Sequence, residues 1–118
     1  MGKERDLRER TMRFALDVIV FGRQRPDDLE GRHLRGQLLR AGTGVAANYR
    51  SACRGRSRAD FIAKLGIAIE ESDETEFWLD LIARARLIPA GAEAALRQEA
   101  YELVAIFTQS QKTARANR

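Results

Sequence analysis

Two runs of ionisable side chains in this 118-residue sequence have the types and spacing to do chemistry. Arg32, Arg35, Arg40, Arg50, Arg54, Arg56 and Arg58 lie in a span with no acid between Glu30 and Asp60. Guanidinium groups gathered this way suit phosphate or carboxylate, because each presents a planar fork of donors that keeps its charge. The next stretch reverses the sign, with Glu70, Glu71, Asp73, Glu74, Glu76 and Asp80. Carboxylates at one-turn spacing invite a metal reading, but on a helix they more often form a solvated or arginine-paired face.

Other chemistry is poorly supplied. His33 is the only histidine, so neither an E-x-x-H pair for a di-iron bundle nor an H-E-x-x-H zinc motif can be built. Cys53 has arginines nearby in sequence, which favour a thiolate, but no histidine on another element is placed to act as its base. A glycine-rich G-x-x-x-x-G-K phosphate loop is also missing from the sequence. The expectation is a protein with no catalytic residues, no metal and no cofactor.

The formal charge is +4 and the pI about 9.8. Arginine supplies every basic residue except Lys3, Lys64 and Lys112. Such a surface points to an anionic partner such as RNA or DNA, with plain solubility as the alternative. The candidate phosphate contacts are Arg35, Arg40, Arg50, Arg54, Arg56 and Arg58. With Cys53 alone an internal disulfide is excluded, and a reducing compartment is the simpler assumption. No apolar run reaches transmembrane length, and MGKERDLRER is too charged for a signal-peptide core. The expected location is the cytoplasm, with no membrane partner.

The elements that must position these residues are helices. From Ser57 to Arg86, Phe61, Leu65, Ala68, Ser72, Thr75, Leu79 and Ile82 alternate spacings of four and three, the period of a helix face packed in a bundle. Ser57 and Asp60 can satisfy the unpaired N–H groups at its start. About thirty residues at 1.5 Å each span roughly 45 Å, so long partners are needed.

The first partner is expected over Asp6–Gly22, with Leu7, Thr11, Phe14, Val18 and Phe21 inward. Met12, Ala15, Leu16, Ile19 and Val20 should widen that stripe. Pro26-Asp27-Asp28 then reads as a turn. The second helix is expected over 30–54, with Leu34, Leu38, Ala41, Val45, Asn48 and Ala52 inward. Gly42 and Gly44 interrupt it at up to about 1 kcal/mol each. They either admit a close neighbour or bend the helix, and the apolar period keeps its phase across them. Asn48 needs a partner, either Ser72 or Thr75 or a backbone carbonyl.

The fourth helix is expected over 92–111, on Leu96, Ala100, Leu103, Phe107 and Ser110, followed by a frayed tail from Lys112. Short turns make neighbours antiparallel. The fold class is therefore all-α, an up-down four-helix bundle with a long third helix. Arg54, Arg56 and Arg58 then cluster at one end, near the positive N-terminus of the third helix. Asp60 and nearby acids compete to neutralise them.

Phe77 and Trp78 flank the inward stripe of the third helix, with Glu74 on the Trp78 side. Aromatics off the stripe suit a subunit interface, so Phe77, Trp78 and Glu74 are the candidate contacts of a homo-oligomer. A basic end and an acidic middle on one rod also suit head-to-side assembly, leaving open whether phosphates or a neighbour's carboxylates occupy the arginines.

The stretch LRAGTGVAANYRSACRGRSRADFIAKLGIAIEESDETEFWLDLI resembles the bacterial four-helix bundle proteins related to those encoded in 23S rRNA intervening sequences. That family includes the accessory variability protein of diversity-generating retroelements. The resemblance covers most of the chain and is strongest from Leu39 to Ile82. It is carried by Asn48, Arg56, Ser57, Phe61, Ala68 and Glu74. Many members have Glu-Gly a few residues after the asparagine, where this chain has Ser51-Ala52, which removes a negative charge beside the arginines. The resemblance implies a ring-like homopentamer with a basic surface for RNA or DNA. It also implies association with a reverse transcriptase in the retroelement branch, and no enzymatic activity.

Overall fold

A computed structural model describes residues 2–23 and 27–117, apart from the Lys3 side chain. The expected turn at Pro26-Asp27-Asp28 lies partly outside those residues, because Pro26 is not among them. The helices are α1 (Gly2–Arg23), α2 (Leu29–Cys53), α3 (Arg58–Arg84) and α4 (Ala94–Ala116). They run up and down as an elongated bundle of 50 × 21 × 20 Å. The chain is a four-helix bundle with no strand among the described residues. None of its described helices is long and apolar enough to cross a membrane.

Local chemistry sets the helix ends. The Asp28 carboxylate accepts from Gly31 N at 2.7 Å and starts α2. Ser57 Oγ accepts from Asp60 N at 3.1 Å, while Asp60 accepts from Arg56 N at 3.2 Å, a reciprocal cap for α3. α3 stops where Arg86 takes a left-handed φ of 58° and Leu87 N returns to Ile82 O at 3.3 Å.

The bounds differ from the sequence reading by one or two residues at most helix ends and by more at two. α1 begins at Gly2 rather than Asp6, and α4 continues to Ala116 through the stretch expected to fray. Nothing after Gln111 breaks a helix, since no glycine or proline follows it. Gln111 also donates to Ile62 O at 2.9 Å and pins the end of α4 to the start of α3.

The inward stripe of α3 is as the spacing requires: Leu65, Ala68, Ser72, Thr75, Leu79 and Ile82 are buried. The buried hydroxyls bond back along their own helices. Ser72 donates to Ala68 O at 2.9 Å, Thr75 to Glu71 O at 2.7 Å and Thr11 to Arg8 O at 3.0 Å. Asn48 does likewise, donating to Gly44 O at 2.8 Å, so the backbone carbonyl is its partner. Tyr49, beside it, is the buried side chain, stacked on Phe107 with ring centroids 5.4 Å apart.

α2 is continuous through its glycines, and each faces a different neighbour. A Cβ on Gly42 would lie 2.8 Å from both Val18 methyl groups of α1, and one on Gly44 would lie 3.1 Å from the Glu71 carboxylate of α3. The α1 stripe is narrower than expected. Ala15 is buried, but Met12, Leu16 and Val20 are 49%, 54% and 50% exposed. At about 100° per residue, Leu16 falls roughly 160° from the buried Val18, on the far side of the helix. α1 packs on α2, α2 on α3 and α3 on α4, whereas α1 and α4 close the bundle along its loosest seam. That seam is crossed by Arg10, which donates to Glu99 at 2.6 and 2.8 Å and to Glu102 at 2.9 Å.

Candidate nucleic-acid interface

The short turn between α2 and α3 places Arg50 and Arg54 at the end of one helix and Arg56 and Arg58 at the start of the next. All four are exposed. None forms an ion pair within 4 Å with any acid among the described residues. Asp60, the acid expected to neutralise them, is otherwise engaged. Its carboxyl is held below the usual range chiefly by the backbone N–H of Arg56, then by Lys64, whose Nζ lies 3.2 Å away.

The up-down order brings the far end of the sequence to the same place. Arg58 and Arg115 border one hollow of about 410 Å³, with Ala59 and Ile62 between them. Lys112 and Arg115 are exposed and likewise without ion pairs to described residues. The sequence reading missed them by treating their stretch as a loose tail. The available signal was the unbroken helical register running on from Phe107 and Gln111.

Arg35 and Arg40 are not part of this cluster. Arg35 sits 3.4 Å from Asp27 at the opposite end of the bundle. Arg40, midway along α2, bonds to Glu74 and lies 3.6 Å from Glu71. Glu71 is held against Gly44, and burial pushes its carboxyl up, reinforced by Glu74 and Glu70 and opposed by Arg40.

The candidate oligomer residues separate too. Trp78 is half-buried against the core, donates from Nε1 to Glu74 at 3.2 Å and meets His33 edge-on at 6.3 Å. Glu74 is committed to Arg40 and Trp78, so of the three only Phe77, 55% exposed, is open. Cys53 is half-buried and free, and burial pushes its thiol up, away from a reactive thiolate. No group of three or more histidine, cysteine or carboxylate side chains among the described residues is placed to hold a metal ion.

A family model described as 23S rRNA-intervening sequence protein matches residues 3–109. The chain belongs to that family. Among solved structures, a crystal structure of a protein of unknown function from the S23 ribosomal protein family, from Bacteroides thetaiotaomicron VPI-5482, has the same fold. It matches with a TM-score of 0.86 at 30% identity, over 93% of this chain and 98% of that one. No curated protein matches the chain. For this intervening-sequence family protein, a four-helix bundle of that type is therefore supported twice, by sequence and by shape.

Proposed function

We propose that this protein is a non-enzymatic, oligomeric helical scaffold that binds RNA or DNA through the arginine end of its bundle, in the cytoplasm. One observation carries the reading. Arg50, Arg54, Arg56 and Arg58 stand together in solvent without carboxylate partners among the described residues, while other arginines of the same sequence run are ion-paired. Unpaired guanidinium groups on one face are the electrostatic footprint of a phosphate-binding surface. Contacts of this kind give affinity that falls with salt and carry little base information.

The test is a salt titration of binding to labelled RNA and DNA, repeated with all four arginines changed to Gln. Loss of binding in the variant supports the assignment. Equal binding by the variant overturns it.

Self-association is favoured by a second observation. Met12, Leu16 and Val20 form an exposed apolar stripe on α1, and Phe77 is exposed on α3. Apolar surface of this kind commonly marks an interface. The family resemblance makes a ring-like pentamer the first assembly to test. Light scattering should then give a mass five times the 13.3 kDa of the chain. A 13.3 kDa particle at micromolar concentration overturns it.

A further inference from the structure

We infer that the arginine end of the bundle docks on the phosphate backbone of a double helix in preference to a single strand, and that Lys112 and Arg115 of α4 belong to the contact. The inference rests on the nucleic-acid reading above and adds the form of the ligand.

The first argument is where the cations come from. Arg50 and Arg54 close α2, Arg56 and Arg58 open α3, and Lys112 and Arg115 close α4. The hollow shared by Arg58 and Arg115 joins the last two groups, and the Gln111–Ile62 bond of 2.9 Å fixes their spacing. These six charges are spread over the end of a rod whose cross-section is 21 × 20 Å. A duplex places one phosphate charge per ~1.7 Å of axis, against one per ~3.4 Å for each strand alone. A face about 20 Å wide, set against one side of a duplex, therefore meets phosphates of both strands across a groove, whereas a single strand presents one narrow line of them. A broad patch is better matched by the denser array.

The second argument is where the aromatic rings are. Single-strand binding draws about 1–3 kcal/mol per base from stacking on exposed rings. Tyr49, the ring nearest the end of α2, is 3% exposed and stacked on Phe107. Phe61, near the start of α3, is packed against the core. The well-exposed rings are Phe77 and Tyr101, which lie toward the other end of α3 and near the start of α4. The arginine end therefore offers charge where a single strand needs stacking, and charge is what a duplex backbone uses.

Asp60 of α3, engaged by Arg56 N and Lys64, and Glu4 and Asp6 of α1 are nearby carboxylates that oppose this field. The latter two border the hollow between α1 and α4, and Glu4 acts on Cys53 at the end of α2.

The test is fluorescence anisotropy with a labelled 20-base-pair duplex and each of its strands, in RNA and DNA forms, at 50 and 200 mM salt. The expected result is duplex affinity at least tenfold above either strand. The RNA and DNA arms tell A-form from B-form preference. Single strands that bind as tightly as the duplex overturn the inference and leave the nucleic-acid reading standing. Binding by none of the six probes overturns that reading itself.

A Lys112→Gln/Arg115→Gln variant should bind the duplex several-fold more weakly, with a log–log salt slope shallower by roughly two. Its control is Arg84→Gln, at the opposite end of α3, which should bind as the parent does. A double variant with unchanged affinity and slope removes α4 from the contact.

Discussion

At mid-bundle Arg40 lies between two carboxylates, whereas Arg54, Arg56 and Arg58 at the bundle end stand in solvent. All four come from the same acid-free span of sequence. The acids that follow on α3 are antiparallel to α2, so they run back beside its middle and reach only the arginines there. Position along the rod, not position in sequence, decides which arginine is spent on structure. The largest expected contrast follows from this. Changing Arg50, Arg54, Arg56 and Arg58 together to Gln should weaken nucleic-acid binding at 50 mM salt by at least about thirtyfold and flatten the salt slope by roughly three to four. It should leave the melting temperature within about 2 °C, since exposed unpaired side chains contribute little to stability. Changing Arg35 and Arg40 to Gln should leave binding nearly unchanged. Equal losses in the two variants would dissolve the distinction between the regions.

The middle of the bundle is where packing should matter, and the two glycines of α2 measure it. Gly42→Ala forces a methyl group against Val18, at 2.8 Å from its branched carbons, where neither helix can give way cheaply. A loss of about 1–3 kcal/mol is expected, read by urea denaturation. At Gly44 the group met is the Glu71 side chain at 3.1 Å, which is flexible. Here the gain in helix propensity, up to about 1 kcal/mol, offsets the displacement, so Gly44→Ala should be close to neutral. Two glycines separated by one residue thus do different work, because one admits a helix and the other admits a carboxylate.

Much of this was legible in the sequence. The α3 stripe from Leu65 to Ile82 is buried residue for residue, because a four-three spacing leaves little freedom over which face turns inward. Asn48 found a backbone carbonyl for a similarly local reason, four residues back on its own helix. One of the differences follows from helical angle, and the others come from contacts that spacing cannot reveal. Leu16 and Val20 were read as core because they are apolar, but the angle they subtend puts them outside. Arg40 looked like a phosphate contact until Glu71 and Glu74 were brought to it across a helix pair. Arg115 looked like tail until the end of α4 was found bonded to Ile62 through Gln111. Pairing across elements and the persistence of a terminal helix are tertiary facts, and both decide the membership of the candidate site.

Arg40 itself offers a smaller test of the comparison. It is half-exposed, at 53% of its side-chain area, so its bond to Glu74 is screened. Arg40→Gln should cost about 1 kcal/mol, seen as a melting-temperature drop of about 3–6 °C, with no change in nucleic-acid affinity. A binding defect in this variant would extend the phosphate surface down the side of the bundle.

The smallest effect concerns the carboxylate that Arg40 partly compensates. Glu71 has 19% of its side-chain area exposed, and its Oε2 accepts no hydrogen bond from the described residues. The groups that face it are Arg40 from α2 and Glu70 and Glu74 from its own helix. Burial and the two glutamates raise its folded pKa above the unfolded value, outweighing Arg40. The sign follows from linkage. A group that binds its proton more tightly when folded stabilises the fold below its unfolded pKa, and that stabilisation disappears as pH rises through the folded value. In its ionised form Glu71 is a partly desolvated charge whose one facing cation is Arg40, at 3.6 Å. Glu71→Gln removes that charge at little steric cost, so it should stabilise the bundle at pH 7, by less than about 1 kcal/mol. The advantage should shrink as pH falls and the parent carboxyl takes up its own proton. Thermal melts of parent and variant across pH 4–7 read the difference directly. A variant less stable than the parent at pH 7 would mean that the ion pair with Arg40 outweighs the desolvation of Glu71. The middle of the bundle would then be held by charge rather than merely tolerating it.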